Sequence, residues 1–274
     1  MLNTLQKNWR LYLIEAWALG TFMVAASVVV IVVEHPVFPV RGAVASPVLR
    51  RAMIGVCMGL TAIGLIYSSW GKRSGAHLNP AVTLAQWRLN RITTTDAGFY
   101  ILAQIAGGSL AIAGLNALIP SYMAHESVNF VATVPGPTGV WVALICEFAM
   151  AFCILTMVLA LSNSRRLAPY TGYFVGCLVA LYITVEAPFS GMSINPARTI
   201  SSALSANQWP GWWVYFAGPI GGMWLAGWLY RRNYRHKYGE CKTMAMHLSG
   251  QENGCETYQV LWWTDEKQPE NQIS

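Results

Sequence analysis

Two twelve-residue stretches of this chain nearly repeat each other: residues 74–85 read SGAHLNPAVTLA and residues 190–201 read SGMSINPARTIS. Six of the twelve positions are identical, among them Ser-Gly five residues before Asn-Pro-Ala and a Thr four residues past the Asn. Asn is a strong N-cap residue, and Pro suits the first helical position because no N–H bond is needed there. The pattern therefore predicts one short helix from Pro80 and another from Pro196. At roughly eight to ten residues and about 1.5 Å per residue, each reaches about half a bilayer. Each copy stands where a long apolar segment stops. A helix start repeated in that setting confines the chain to an inverted-repeat membrane fold.

Composition agrees. Only 11% of the residues are charged and 54% are apolar, whereas soluble domains carry about 25% charged residues. Six apolar stretches approach the roughly 20 residues that a helix needs to cross a hydrocarbon core: 9–33, 51–70, 97–119, 139–162, 169–187 and 211–230. Backbone in lipid must bond to itself, so these are helices. The first is too long for the apolar core of a signal peptide and is expected to stay. The fold class that follows is an all-α membrane protein of six transmembrane helices plus two re-entrant half-helices. Residues 1–232 are expected to form one membrane domain, and the polar tail, 233–274, is expected to be disordered. The connector 120–138, with Pro135-Gly136-Pro137, reads as a long loop joining two three-span halves.

A net charge of +6 invites a nucleic-acid reading, but its placement excludes one. Lys7, Arg10, Lys72, Arg73, Arg88, Arg91, Arg165, Arg166, Arg231, Arg232, Arg235 and Lys237 all fall on one side of a six-span model. That side is cytoplasmic by the positive-inside rule, so both termini are expected inside a cell membrane. Arg41, Arg50 and Arg51 around the first outer loop depart from the rule, and the sequence alone does not explain them. Cys57, Cys146, Cys153 and Cys177 lie within spans and read as small apolar side chains. Cys241 and Cys255, with His236 and His247, have no metal-ligand spacing. The histidines are scattered and no nucleophile–base pattern appears, so neither an enzyme nor a metal or cofactor site is expected.

An odd number of spans separates the repeats, so the second half is inverted relative to the first. The half-helices then enter from opposite faces and meet near the midplane, Asn79 against Asn195. The turns before them, including Gly75, Ala76 and His77 in one copy and Gly191, Met192 and Ser193 in the other, offer carbonyl oxygens as a polar track. Two helix N-termini aimed at one spot place about half a positive charge each there. Two Asn amides add hydrogen-bond donors. Such a site admits a neutral solute with lone pairs and repels protons and cations. Glu15 and Glu147, early in the first span of each half, read as buried carboxylates that accept N–H groups of the folded turns.

On these residues the chain resembles the major intrinsic protein family of aquaporins and glycerol facilitators. The resemblance covers about residues 9–231 and rests on Asn79-Pro80-Ala81, Asn195-Pro196-Ala197, the stretch from Glu15 to Phe22, Tyr100 to Gln104, and Gly218-Pro219. It implies a right-handed helix bundle in membrane lipid, a homotetramer with one pore per subunit. Counting from the Asn residues as the family does, the filter falls on Gly59, Ile183, Met192 and Arg198. Arg198 implies a donor to solute that opposes cations. The usual aromatic and His of water-selective members are missing, which implies a wider, less polar constriction. Thr199, Ala203 and the pair Tyr215-Phe216 depart from the glycerol-facilitator pattern and resemble aquaporins. The resemblance thus implies a channel for water with small uncharged solutes as further cargo. The alternative it leaves is a facilitator of glycerol, urea or a metalloid acid with water secondary.

Overall fold

In a computed structural model the described residues are 2–164 and 166–238, most of them helical. The first half runs α1 (Leu2–Glu34), α2 (Pro39–Ala43), α3 (Pro47–Tyr67), α4 (Ser69–Ser74), α5 (Pro80–Arg88) and α6 (Thr94–Leu118). A short α7 (Pro120–Met123) and a 3-10 turn (Asn129–Val131) lead to the second half. That half runs α8 (Val140–Ser162), α9 (Thr171–Val185), α10 (Ala187–Ser190), α11 (Pro196–Ala206) and α12 (Val214–Tyr238). Each half repeats the same order: long helix, long helix, short turn of helix, half-helix, long helix.

Five of the long helices, from α1 through α9, are long and apolar enough to cross a membrane. The expected sixth span falls on α12, whose apolar content comes as Trp, Tyr and Gly and ends in Arg231 and Arg232. Its place in the bundle is nonetheless that of a span: α12 packs along α8 as α6 packs along α1. The third extensive pair is α3 on α9, one helix from each half. The half-helices cross over: α11 packs mainly on α6 and α5 mainly on α12, so each half is locked into the other. Helix α12 runs to Tyr238, past the expected domain end at 232. The rest of the tail, with Cys241, His247 and Cys255, lies outside the described residues.

The bundle turns large apolar side chains outward and buries several charged and polar ones beside an apolar core. Leu102, Leu110, Leu118, Trp141 and Ile145 point outward from α6 and α8, while Glu15, Gln104, Glu147, Ser190 and Ser201 are fully buried. Trp9 and Trp70 mark one end of the bundle and Trp141 and Trp213 the other, the arrangement of interfacial aromatic belts. Three of the span cysteines, Cys57, Cys153 and Cys177, lie on the outer surface and only Cys146 is partly enclosed. The expected long connector packs onto the bundle: its Met123, Val128 and Val131 are buried, and its Gly136 N–H donates to the Phe189 carbonyl at 2.8 Å.

Candidate functional site: a central pore

The two Asn-Pro-Ala segments cap their helices by the same geometry. Asn79 is extended (φ −153°), Pro80 opens α5, and the Asn79 Oδ1 accepts the Ala81 N–H at 2.8 Å. Asn195 is likewise extended (φ −146°) and its Oδ1 accepts the N–H groups of Ala197 at 3.0 Å and Arg198 at 3.3 Å. The amide nitrogens cross between halves. Asn79 Nδ2 donates to the Ile194 carbonyl and Asn195 Nδ2 to the Leu78 carbonyl, each at 2.7 Å. A side-chain amide carries two N–H donors. One on each Asn is spent on this crosswise lock. The other has no protein acceptor among the described residues, and both Asn residues border the same cavity.

The turns before the half-helices match residue for residue. Gly75, Ala76 and Leu78 have φ of 87°, 47° and 51°; Gly191, Met192 and Ile194 have 78°, 51° and 54°. Left-handed backbone at a non-glycine residue costs about 1–3 kcal/mol and persists only where its surroundings hold it. Two buried carboxylates do so. Glu15 accepts from Ser74 Oγ (2.7 Å), the N–H groups of His77 (3.0 Å) and Leu78 (2.7 Å), and Gln104 Nε2 (2.8 Å). Glu147 accepts from Ser190 Oγ (2.7 Å) and the N–H groups of Ser193 (2.7 Å) and Ile194 (2.6 Å). Two tyrosines complete the match: Tyr100 donates to the Ser74 carbonyl and Tyr215 to the Ser190 carbonyl, at 2.8 and 2.7 Å. With their N–H groups held from behind, the turns border the cavity from Gly75 to Asn79 and from Gly191 to Asn195.

The cavity measures about 420 Å³ and runs between the halves. Its wall comes mainly from α1, α3, α8 and α9. The polar exceptions to an apolar wall are the two turns, the two Asn side chains, Gln86, Arg51 and Arg198. The Arg198 guanidinium has a buried Nη1 with no hydrogen-bond partner among the described residues. His77 borders the cavity as well, with its Nδ1 3.0 Å from Thr83 Oγ1.

Ile183, Met192 and Arg198 all border the cavity, but Gly59 does not. A Cβ on Gly59 would stand 2.5 Å from the Gly176 carbonyl oxygen, so this residue faces α9 and serves the close approach of two helices. Its neighbour Met58, 2% exposed, faces the cavity instead. The count back from Asn79 slips because α3 stops at Tyr67 and Ser68 starts a separate α4, capping it through the Gly71 N–H. The helical period would have found the right face: Arg51, Ile54, Met58, Ala62 and Ile66 recur every three or four residues, and all border the cavity. Sequence reasoning also missed the connector, whose Val128, Val131 and Ala132 close over one mouth.

A family model described as major intrinsic protein matches residues 3–230. Among curated relatives, aquaporin NIP1-3 of Oryza sativa subsp. japonica is 37% identical over 179 residues, 64% of this chain and 60% of the relative. Nodulin-26 of Glycine max is 30% identical over 178 residues, 65% of this chain and 64% of the relative. The chain thus spans under two thirds of the length of these relatives. A solved structure described as the aquaglyceroporin from Plasmodium falciparum superposes with a TM-score of 0.66 at 17% identity, covering 82% of this chain and 94% of that one. At that identity the likeness shows the fold.

Proposed function

The chain belongs to the major intrinsic protein family of membrane channels, and on that premise we propose that it is a passive pore for water and small uncharged solutes that excludes protons and ions. The crosswise Asn lock carries this reading. It fixes two amides at the meeting point of two helix N-termini, each with a donor left for a passing oxygen. A solute oxygen is welcome there, while a cation meets two positive helix ends and then Arg198. In this reading Met58, Ile183, Met192 and Arg198 form the narrow filter, and the turns at 75–77 and 191–193 supply the acceptors. Glu15 and Glu147 are structural. The protein works as a homotetramer in a cell membrane with both termini in the cytoplasm.

A facilitator with water secondary is favoured by one observation: of the four residues assigned to the filter, Met58, Ile183 and Met192 are apolar and only Arg198 is polar. A site without a second polar partner has little means to reject solutes larger than water. Stopped-flow light scattering of proteoliposomes in water, glycerol and urea gradients separates the readings. A channel gives shrinking or swelling well above empty liposomes with at least water. Glycerol or urea uptake alone makes it a facilitator, and no uptake of any of the three removes the proposal.

A further inference from the structure

The three arginines of the first outer loop have three different fates. Arg50 is neutralised: its Nε lies 3.0 Å from Glu34 Oε1. Arg41 donates to the Glu34 carbonyl. Arg51 does neither. Its Nε donates to the Thr184 carbonyl at 3.1 Å, its one hydrogen bond among the described residues. No carboxylate pairs with it among the described residues. A guanidinium has five N–H donors, so four remain on its two terminal nitrogens, and the residue borders the central cavity.

Position gives this open charge a use. Arg51 stands on the cavity face of α3 seven residues before Met58, about 10 Å along the helix axis. The carbonyl that anchors it belongs to the residue after Ile183, so it is tied to the wall next to the filter. Along the cavity face of α3, Arg51 precedes Ile54 and Met58, so a solute entering from the Arg51 end passes that apolar face, and Arg198 borders the same cavity. We propose that Arg51 is a specificity-determining residue of the pore: it captures neutral oxygen-bearing solutes at the mouth and hands them to Arg198, and small oxyanions lodge on it and block. An uncompensated charge at a low-dielectric mouth concentrates anions and repels cations. The apolar stretch beyond cannot solvate an anion, so an oxyanion stops where a polyol proceeds. The inference rests on the channel reading above.

The test uses the full chain in proteoliposomes, with glycerol uptake measured beside water permeability. Inorganic phosphate is added at matched osmolarity, with chloride as control. The unsubstituted protein should lose glycerol uptake as phosphate rises. In Arg51→Gln the half-blocking phosphate concentration should rise about tenfold or more, since hydrogen bonds to a charged group are the strong ones. The ratio of glycerol to water permeability should fall at least about threefold in the same variant. Arg51→Lys, which keeps the charge, should retain phosphate block. Equal block in Arg51→Gln and the unsubstituted channel overturns the proposal, as does an unsubstituted channel indifferent to phosphate. If neither variant inserts as a permeable channel, Arg51 is a staple between α3 and α9 and the proposal fails. An unsubstituted protein that passes neither water nor glycerol defeats the channel reading itself, a separate outcome.

Discussion

The two half-helix regions share a frame and differ in what the frame holds. Around α5 and around α11 the same parts recur: a serine on a buried glutamate, a tyrosine on that serine's carbonyl, a left-handed turn, an Asn cap that reaches across. The differences sit beside the frame. Three residues past the cap the first half has Val82 and the second has Arg198, both bordering the cavity. The threonine of the first motif bonds to His77 and Gln104, whereas that of the second bonds to Ser193 and Thr133. Shared residues build the backbone geometry that any such pore needs. Unshared residues place a cation three positions past the cap in α11 and an apolar side chain there in α5, whose one charge is Arg88 at its far end, so in the proposed pore selection is concentrated on the side of α11.

If the frame is symmetric in function, removing either carboxylate should be ruinous. Glu15→Leu and Glu147→Leu each strand at least three buried donors, at about 1–3 kcal/mol apiece. Both should lose the folded channel, read as the melting transition of the detergent-solubilised protein. A tolerated loss on one side only would break the comparison. The next largest effect should be one-sided: Arg198→Val makes the second half resemble the first. A unit charge at contact range is worth a few kcal/mol at an effective dielectric near 20. Leak of protons, followed with a trapped pH dye, should therefore rise at least about tenfold. Val82→Ala in the first half should leave that leak as it was.

Smaller effects separate neighbours on α3. Gly59→Ala places a methyl against the Gly176 carbonyl, and such overpacking costs about 1–3 kcal/mol of stability. Met58→Ala instead opens the cavity wall and should raise the ratio of glycerol to water permeability about threefold. If Gly59→Ala changed selectivity and Met58→Ala did not, the assignment of these two residues would be reversed. The smallest effect lies in the cap over one mouth. The His35 and His125 ring centroids lie 4.4 Å apart, the rings tilted by 57°, and their Nδ1 atoms accept the N–H groups of Val37 and Ser127. Loss of hydration, and then the neighbouring His125, hold the His35 pKa below its ordinary value. A histidine with a lowered pKa binds its proton more readily in the unfolded chain, so stability falls as pH drops through about 6.5 and the loss is complete below the lowered value. Protection factors for amide exchange in residues 125–131, which correct for the intrinsic pH dependence of exchange, should fall as pH drops through about 6.5 and stay constant above it.

Much of this was legible in the sequence, and the gaps have physical causes. Asn-Pro is a cap written in two adjacent letters, so both half-helices were placed to the residue at Pro80 and Pro196. The spans were legible because lipid demands long apolar runs. α12 was the weakest of them, since Trp and Gly fill it and packing on α8 defines it. Met58 was hidden because counting along a chain assumes an unbroken helix, and Ser68 breaks it. The crosswise Asn bonds join residues more than a hundred positions apart. No local pattern encodes such a contact, although the repeat hinted at the meeting. Arg51 looked like an exception to charge placement until its neighbours showed which arginine had a carboxylate.

The central claim is that two inverted half-helices make one pore that passes neutral solutes and stops protons. Proteoliposomes carrying the full chain and a trapped pH-sensitive dye test it when an osmotic gradient and a pH gradient are imposed together. The account predicts light-scattering changes well above empty liposomes while the dye signal stays at the empty-liposome rate. A dye signal that collapses along with the volume change, or no volume change above empty liposomes, would contradict it.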